Sequence, residues 1–309
     1  MPTPDGAARG ERSEQPGRHV LVAGATGYIG KFAVEAFTRR GFRVRALTRS
    51  EERLREPGPF TAPGIGPDDV DEVFVGELTD PATLDGLMDG VDVVFSSVGI
   101  SRQRDGLTFE QVDYELNHRL IELAEAAGVG QFVYVSLQGA DSDELRDLAI
   151  TRAHEKVVAE LEASELDHRI VRPCGYFSDM GAILDMAERG RVLLVGDGTN
   201  RMSPIHGRDV AEAAVAALDG DEREIEAGGP EVLTQREAAE LAFDVVGKPP
   251  KIHVVPLWLA GGVAKGIRLL SQQFGDLAEF IVVAGEIDGV GPPVGSTTLR
   301  GYFEELLAK

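Results

Sequence analysis

The sequence predicts a doubly wound parallel α/β sheet with a smaller, irregular C-terminal lobe. Three observations carry that reading. Short apolar runs alternate with segments of helical period, the run Val91 to Ser96 is apolar beyond Asp92, and a glycine-rich turn joins the first run to the first helix. Strands separated by helices need crossover connections, which make neighbouring strands parallel, and a sheet covered on both faces needs apolar residues at successive positions.

His19 to Ala23 reads as the first strand, and Phe32, Ala33, Ala36 and Phe37 then recur at helical spacing. Phe42 to Leu47 is the second strand, Pro57 to Pro67 a surface excursion and Asp71 to Val75 the third strand. Asp80-Pro81 has the cap and first-turn proline of a helix running to about Met88. After Val91 to Ser96, a helix over about Phe109 to Ala127 leads to the strand Gln131 to Ser136. A helix over about Leu148 to Ser164 leads to the strand His168 to Val171. Residues 19–173 therefore form the core domain.

Residues 174–309 form mainly a C-terminal lobe for substrate or partner, with elements returning to the core. It is expected to hold a helix at about Asp179 to Glu188, a strand Val192 to Val195 and a turn at Gly196-Asp197-Gly198. Asp209 with Glu212, and Thr234 with Glu237, have capping-box spacing and start helices at about 210–218 and 235–246. Ile252 to Leu270 is unusually apolar and includes Trp258. It fits a buried helix, a protein partner or homodimer contact, or a peripheral membrane contact. Residues 1–18, with three Pro, three Gly and no apolar period, read as a disordered arm.

Composition narrows the function classes. The chain has 309 residues and 43% hydrophobic content, enough for a large core. Its net charge of -21 repels nucleic acid and anionic lipid over most of the surface, so no nucleic-acid partner is expected. The acidic excess, with lysine rare, suits a protein kept soluble in concentrated salt, as in a halophile. A single cysteine, Cys174, and a polar N-terminus imply a cytoplasmic address, and no stretch of about 18 uncharged apolar residues implies a membrane span.

The motif Gly24-Ala25-Thr26-Gly27-Tyr28-Ile29-Gly30 follows a strand and opens a helix. In that context bare glycines let a diphosphate approach backbone amides at the positive end of a helix, the Rossmann-type dinucleotide fingerprint. Gly24, Thr26, Gly27, Tyr28, Ile29 and Gly30 are the cofactor candidates. The second strand ends in Thr48-Arg49-Ser50 rather than in a carboxylate. Arg49 can fork onto a 2′-phosphate with Ser50 adding a donor, and no nearby carboxylate opposes it, so NADP(H) is expected over NAD(H). Ser96, Ser97 and Gly99, ending the fourth strand, leave room for ribose and nicotinamide.

On Val20 to Gly30, Gly90 to Ser96, Gly128 to Ser136, Leu166 to Tyr176 and Pro204 to Val210, the chain resembles the atypical short-chain dehydrogenases/reductases. The resemblance is to the NAD(P)H-binding group of NmrA-like, divinyl-chlorophyllide-reductase-like and complex I accessory-subunit-like proteins, over about residues 19–250. It implies a catalytic Ser at Ser136 and a ribose-holding Lys at Lys156. Four residues earlier, at the place of the family's proton-donating Tyr, stands Arg152, which cannot donate a proton near neutral pH. Arg152 shares a helical face with Lys156 and is expected to hold an anionic substrate group. His154 falls off that face and Tyr176 is the preferred replacement donor. Asn117 is a candidate to bond backbone or water near the cofactor, Cys174 is expected to pack and His206 to serve a structural turn. No His, Cys, Asp and Glu grouping has metal-site spacing. The expected function is NADPH-dependent reduction of an enone, carbonyl or other small conjugated substrate. The alternatives are a non-catalytic NADP(H)-binding regulatory or assembly protein and a sugar-nucleotide epimerase or dehydratase.

Overall fold

A computed structural model describes residues 17–99 and 106–309, so all but the end of the expected N-terminal arm lies outside the described residues. The core strands are β1 (His19–Ala23), β2 (Arg43–Thr48), β3 (Glu72–Val75), β4 (Val93–Ser96), β5 (Gln131–Val135) and β6 (Asp167–Pro173). They are followed by β7 (Val192–Val195), β8 (Arg201–Met202), β9 (Glu224–Ala227), β10 (Leu233–Thr234) and β11 (Ile252–Val255). The principal sheet has the order β3-β2-β1-β4-β5-β6-β9, with every neighbouring pair parallel. Its strand order reverses between β1 and β4, which opens a crevice at their carboxyl ends.

Alternation along β1 shows why the sheet is covered on both sides. Val20 and Val22 enter one core with Phe32, Phe37 and Val44, whereas Leu21 and Ala23 enter the other with Leu120, Phe132 and Leu161. The first core is covered by α1 (Tyr28–Arg39), and the second by α3 (Leu116–Ala127) and α4 (Ala149–Ala163); a short α2 (Glu51–Arg55) follows β2. A π-helical turn, Glu110–Glu115, leads into α3. Beyond β6 lie α5 (Phe177–Glu188), α6 (Gly207–Ala217), α7 (Gln235–Val246), α8 (Leu257–Leu270), α9 (Gln272–Ala284) and α10 (Leu299–Leu307). Val210, Ala211 and Ala214 of α6 join the first core beside α1, so this helix and β9 complete the sandwich. A third core of Phe177, Leu184, Phe243, Tyr302 and Phe303 builds the smaller lobe.

Three expected elements take another form. The helix expected over 80–88 is only the 3-10 turn Pro81–Thr83; Asp80 does cap it, accepting from Ala82 N–H, but Gly86 and Gly90 adopt φ of 76° and 67° and turn the chain away. The Thr234 and Glu237 capping box is present, whereas Asp209 caps nothing at the start of α6. Its carboxylate accepts from Thr297 N–H at 3.0 Å, and His206 is the cap, its Nδ1 accepting from Arg208 N–H at 3.1 Å. The stretch Ile252 to Leu270 forms β11 and α8, and only Ala260 and Ala264 of α8 are buried. No helix among the described residues is long and apolar enough to cross a membrane.

His206 explains how the two lobes meet. Because Nδ1 accepts, the neutral ring carries its proton on Nε2, which donates to Thr61 Oγ1 at 2.9 Å. Tyr28, Phe32, Phe177 and Tyr302 surround the ring edge to face. Burial, with Arg208 nearby, lowers its pKa from 6.5 to about 4. The unfolded chain therefore takes up this proton first as pH falls, and stability present above pH 6.5 is lost between 6.5 and 4, by up to about 3 kcal/mol. Thermal melts at pH 7 and 4.5 should show that loss, and His206→Asn, which keeps a capping acceptor, should flatten it.

Candidate cofactor and active site

The turn between β1 and α1 is closed by backbone contacts that only glycine permits. Gly24 has φ of 84°, and a Cβ there would lie 2.9 Å from Ser97 Oγ. A Cβ on Gly30 would lie 2.0 Å from the carbonyl oxygen of Gly24, so the helix packs directly on the turn. Gly27 N–H donates to Gly24 O at 2.8 Å and fixes the entry angle. Gly27 itself has φ of −80° and its face is exposed. The first-turn amides of α1, at Tyr28, Ile29 and Gly30, have no partner within the helix and sit at its positive end, with half-buried Thr26 beside them. These amides suit a diphosphate. The Tyr28 side chain takes no part, because its hydroxyl accepts from Gly207 N–H at 3.0 Å and its ring packs on Phe32 and Phe60.

At the end of β2, Arg49 is exposed and lies 3.6 Å from Glu77. The expectation that no carboxylate stands near it is thus corrected: Glu77, which follows β3, is brought alongside by the parallel pairing of β2 with β3. Ser50 caps α2, its hydroxyl accepting from Arg53 N–H at 3.4 Å. At the other end of α2, the buried Lys31 ammonium donates to the carbonyls of Leu54 at 2.6 Å, Glu56 at 2.7 Å and Arg53 at 3.1 Å. This lysine anchors the loop that carries Arg49 to the glycine helix, a role that sequence spacing did not reveal.

The ends of β4 and β5 hold a buried polar chain. Ser96 donates to Asn117 Oδ1 at 2.5 Å, and Asn117 Nδ2 donates to the carbonyls of Asp113 at 2.8 Å and Val98 at 3.0 Å. His154 Nδ1 lies 2.7 Å from the Tyr134 hydroxyl, and its Nε2 lies 3.4 Å from Asp113 Oδ1. Asp113, Asn117 and Ser96 are fully buried, and a Cβ on Gly99 would lie 2.8 Å from Asp113 Oδ1. The missing side chain of Gly99 therefore leaves room for the buried carboxylate against the backbone after β4. Ser97, half-buried, stands against Gly24 and links the crevice to the glycine turn.

Helix α4 presents different residues from those expected. His154 is buried, whereas Arg152 and Lys156 are exposed. Lys156 bonds Glu110 at 2.5 Å and lies over the Tyr114 ring, so holding a ribose would require it to leave both. The side-chain direction of a helix explains the reversal: Thr151, His154, Val157 and Val158 make the inward stripe, and Arg152 and Lys156 fall outside it. Ser136 is buried, with its Oγ 3.4 Å from the Arg172 guanidinium. Tyr176 caps α5 across the sheet from His154, bridging Ile205 and packing on the first core, and burial raises its pKa. Cys174 is buried and its thiol pushed up to about 11, with Ser203 as its hydrogen-bond partner. Among the described residues no group of three or more His, Cys, Asp or Glu is arranged to hold a metal ion.

Comparison with known proteins agrees with this geometry. A profile of the family described as NAD(P)H-binding matches residues 24–221. A chloroplastic divinyl chlorophyllide a 8-vinyl-reductase of Zea mays is 28% identical, covering 93% of this chain and 79% of that protein. A (4-alkanoyl-5-oxo-2,5-dihydrofuran-3-yl)methyl phosphate reductase of Streptomyces griseus is 30% identical over 74% of each chain. Among solved structures, the NADPH complex of an Escherichia coli NADPH-dependent quinone oxidoreductase superposes with a TM-score of 0.70. It covers 93% of this chain and 99% of its own at 19% identity, a likeness of fold.

Proposed function

We propose that this chain, which belongs to the NAD(P)H-binding family, is an NADPH-dependent reductase of the atypical short-chain type, passing hydride to an enone, carbonyl or other small conjugated substrate. The observation that carries the reading is the meeting of an open diphosphate cradle with a buried Tyr134–His154–Asp113 chain at the ends of neighbouring strands. When bound, the nicotinamide dinucleotide supplies hydride. The chain's own residues do the rest. Amides of Tyr28, Ile29 and Gly30 hold the diphosphate, and Ser97 and Gly99 keep the backbone approachable.

His154, two residues beyond Arg152 and on the inward face of α4, takes the proton-donating role in this reading. Its Nδ1 is held by Tyr134, and the 3.4 Å separation between Nε2 and Asp113 is loose enough for a substrate oxygen or water to compete. The Nε2 proton passes to the oxygen or carbon made negative by hydride arrival, which removes the need for the absent tyrosine. The names of the maize and Streptomyces relatives, both reductases, support this assignment. Following NADPH absorbance across carbonyl, enone and quinone substrates tests it. Stoichiometric loss of NADPH with one class is expected, and tight cofactor binding without turnover on any of them would instead support a non-catalytic NADP(H)-binding protein.

NADP preference rests on Arg49. Arg49→Ala is expected to weaken NADPH about tenfold and NADH hardly at all. Glu77→Gln, which removes the carboxylate 3.6 Å away, should tighten NADPH binding, so equal effects of either variant on both nucleotides would defeat the assignment.

A further inference from the structure

We infer that the hairpin of α8 and α9 is an interfacial anchor for an anionic lipid surface, lying on the membrane without crossing it. The two helices pack chiefly on one another and leave an apolar face outside. Trp258 is 78% exposed, Leu269 88% and Leu270 91%, with Val263, Phe274 and Ile281 beside them. Between the helices and the small sheet of β7 and β11 runs a cleft of about 290 Å3 whose lining, including Val195, Val255, Val263, Ile267 and Ile281, is entirely apolar.

Charge complementarity chooses the occupant. In a chain with 52 acidic residues, none falls between Val245 and Gly275, while Lys248, Lys251, Lys265 and Arg268 all do. Arg268 is satisfied internally by Asp276 at 3.1 Å and Glu279 at 3.0 Å, which pins α8 to α9. The three lysines are exposed: Lys265 lies on α8 itself, Lys251 immediately precedes β11, and Lys248 bonds the carbonyl of Glu188. Exposed tryptophan and leucines on a helix that also carries Lys265 suit insertion among acyl chains with ammonium groups at the phosphates. A two-fold contact with a second copy is the poorer fit, because it would set the same lysines against one another, whereas a local cationic patch dominates within a Debye length of an anionic bilayer.

Trp258 is the chain's single tryptophan and reports directly on the contact. The full chain, mixed with phosphatidylglycerol vesicles, should sediment with them and show a blue-shifted, brightened emission. Binding should be at least tenfold weaker to phosphatidylcholine vesicles and should fall as salt rises. The pair Leu269→Ser/Leu270→Ser and, separately, Lys251→Glu/Lys265→Glu should each weaken partitioning about tenfold or more while melting temperature and NADPH binding stay unchanged. No sedimentation and no emission shift at low salt would overturn the inference. So would a lipid-free dimer in ultracentrifugation that already buries Trp258, which would assign the face to a second copy.

Discussion

Gly27→Val is expected to abolish NADPH binding, raising Kd at least about a hundredfold, or about 3 kcal/mol, while the melting temperature changes by no more than a few degrees. The two outcomes separate because of where Gly27 lies. Its φ of −80° is open to any residue, and a Cβ would approach only Gly24 O, at 3.2 Å, so the fold tolerates a side chain. That side chain would stand in front of the amides of Tyr28, Ile29 and Gly30. Gly30→Val is the contrasting case: its Cβ would overlap Gly24 O at 2.0 Å, and loss of folding is expected before any loss of affinity can be read. Isothermal titration together with a thermal melt checks both.

The second large effect is on turnover. His154→Phe should lower kcat about a hundredfold or more with NADPH affinity unchanged, since the residue lies beside the crevice and away from the diphosphate turn. Removing the imidazole also orphans the fully buried Tyr134 hydroxyl, at a cost of roughly 1–3 kcal/mol in stability. His154→Gln is therefore the sharper variant: it preserves a polar partner for Tyr134 but cannot deliver a proton. Loss of turnover in the glutamine variant, with NADPH affinity and melting temperature unchanged, identifies a proton donor. Full activity in that variant would make the histidine a packing residue only.

The fold and the cradle were legible because their causes are local. A glycine that must leave space for a carbonyl, a strand apolar at successive positions and a Thr234 cap three residues before Glu237 are visible in the chain itself. What escaped depends on distant groups. Glu77 reaches Arg49 only through the register of β2 and β3, and Asp209 is diverted from capping by an amide 88 residues away. The phase of α4 follows Val157, Val158 and Leu161, which turn His154 inward and Arg152 and Lys156 outward, whereas the tyrosine–lysine spacing marks positions and carries no phase. Ile252 to Leu270 looked equally fit for burial or contact, since an apolar helix reads alike whether or not another element covers it.

Calorimetric titration of the folded chain with NADPH and NADH tests the central claim most directly. The account predicts one site per chain, tighter for NADPH than for NADH and lost in Gly27→Val. Absence of heat with both nucleotides, or undiminished binding by the valine variant, would contradict it.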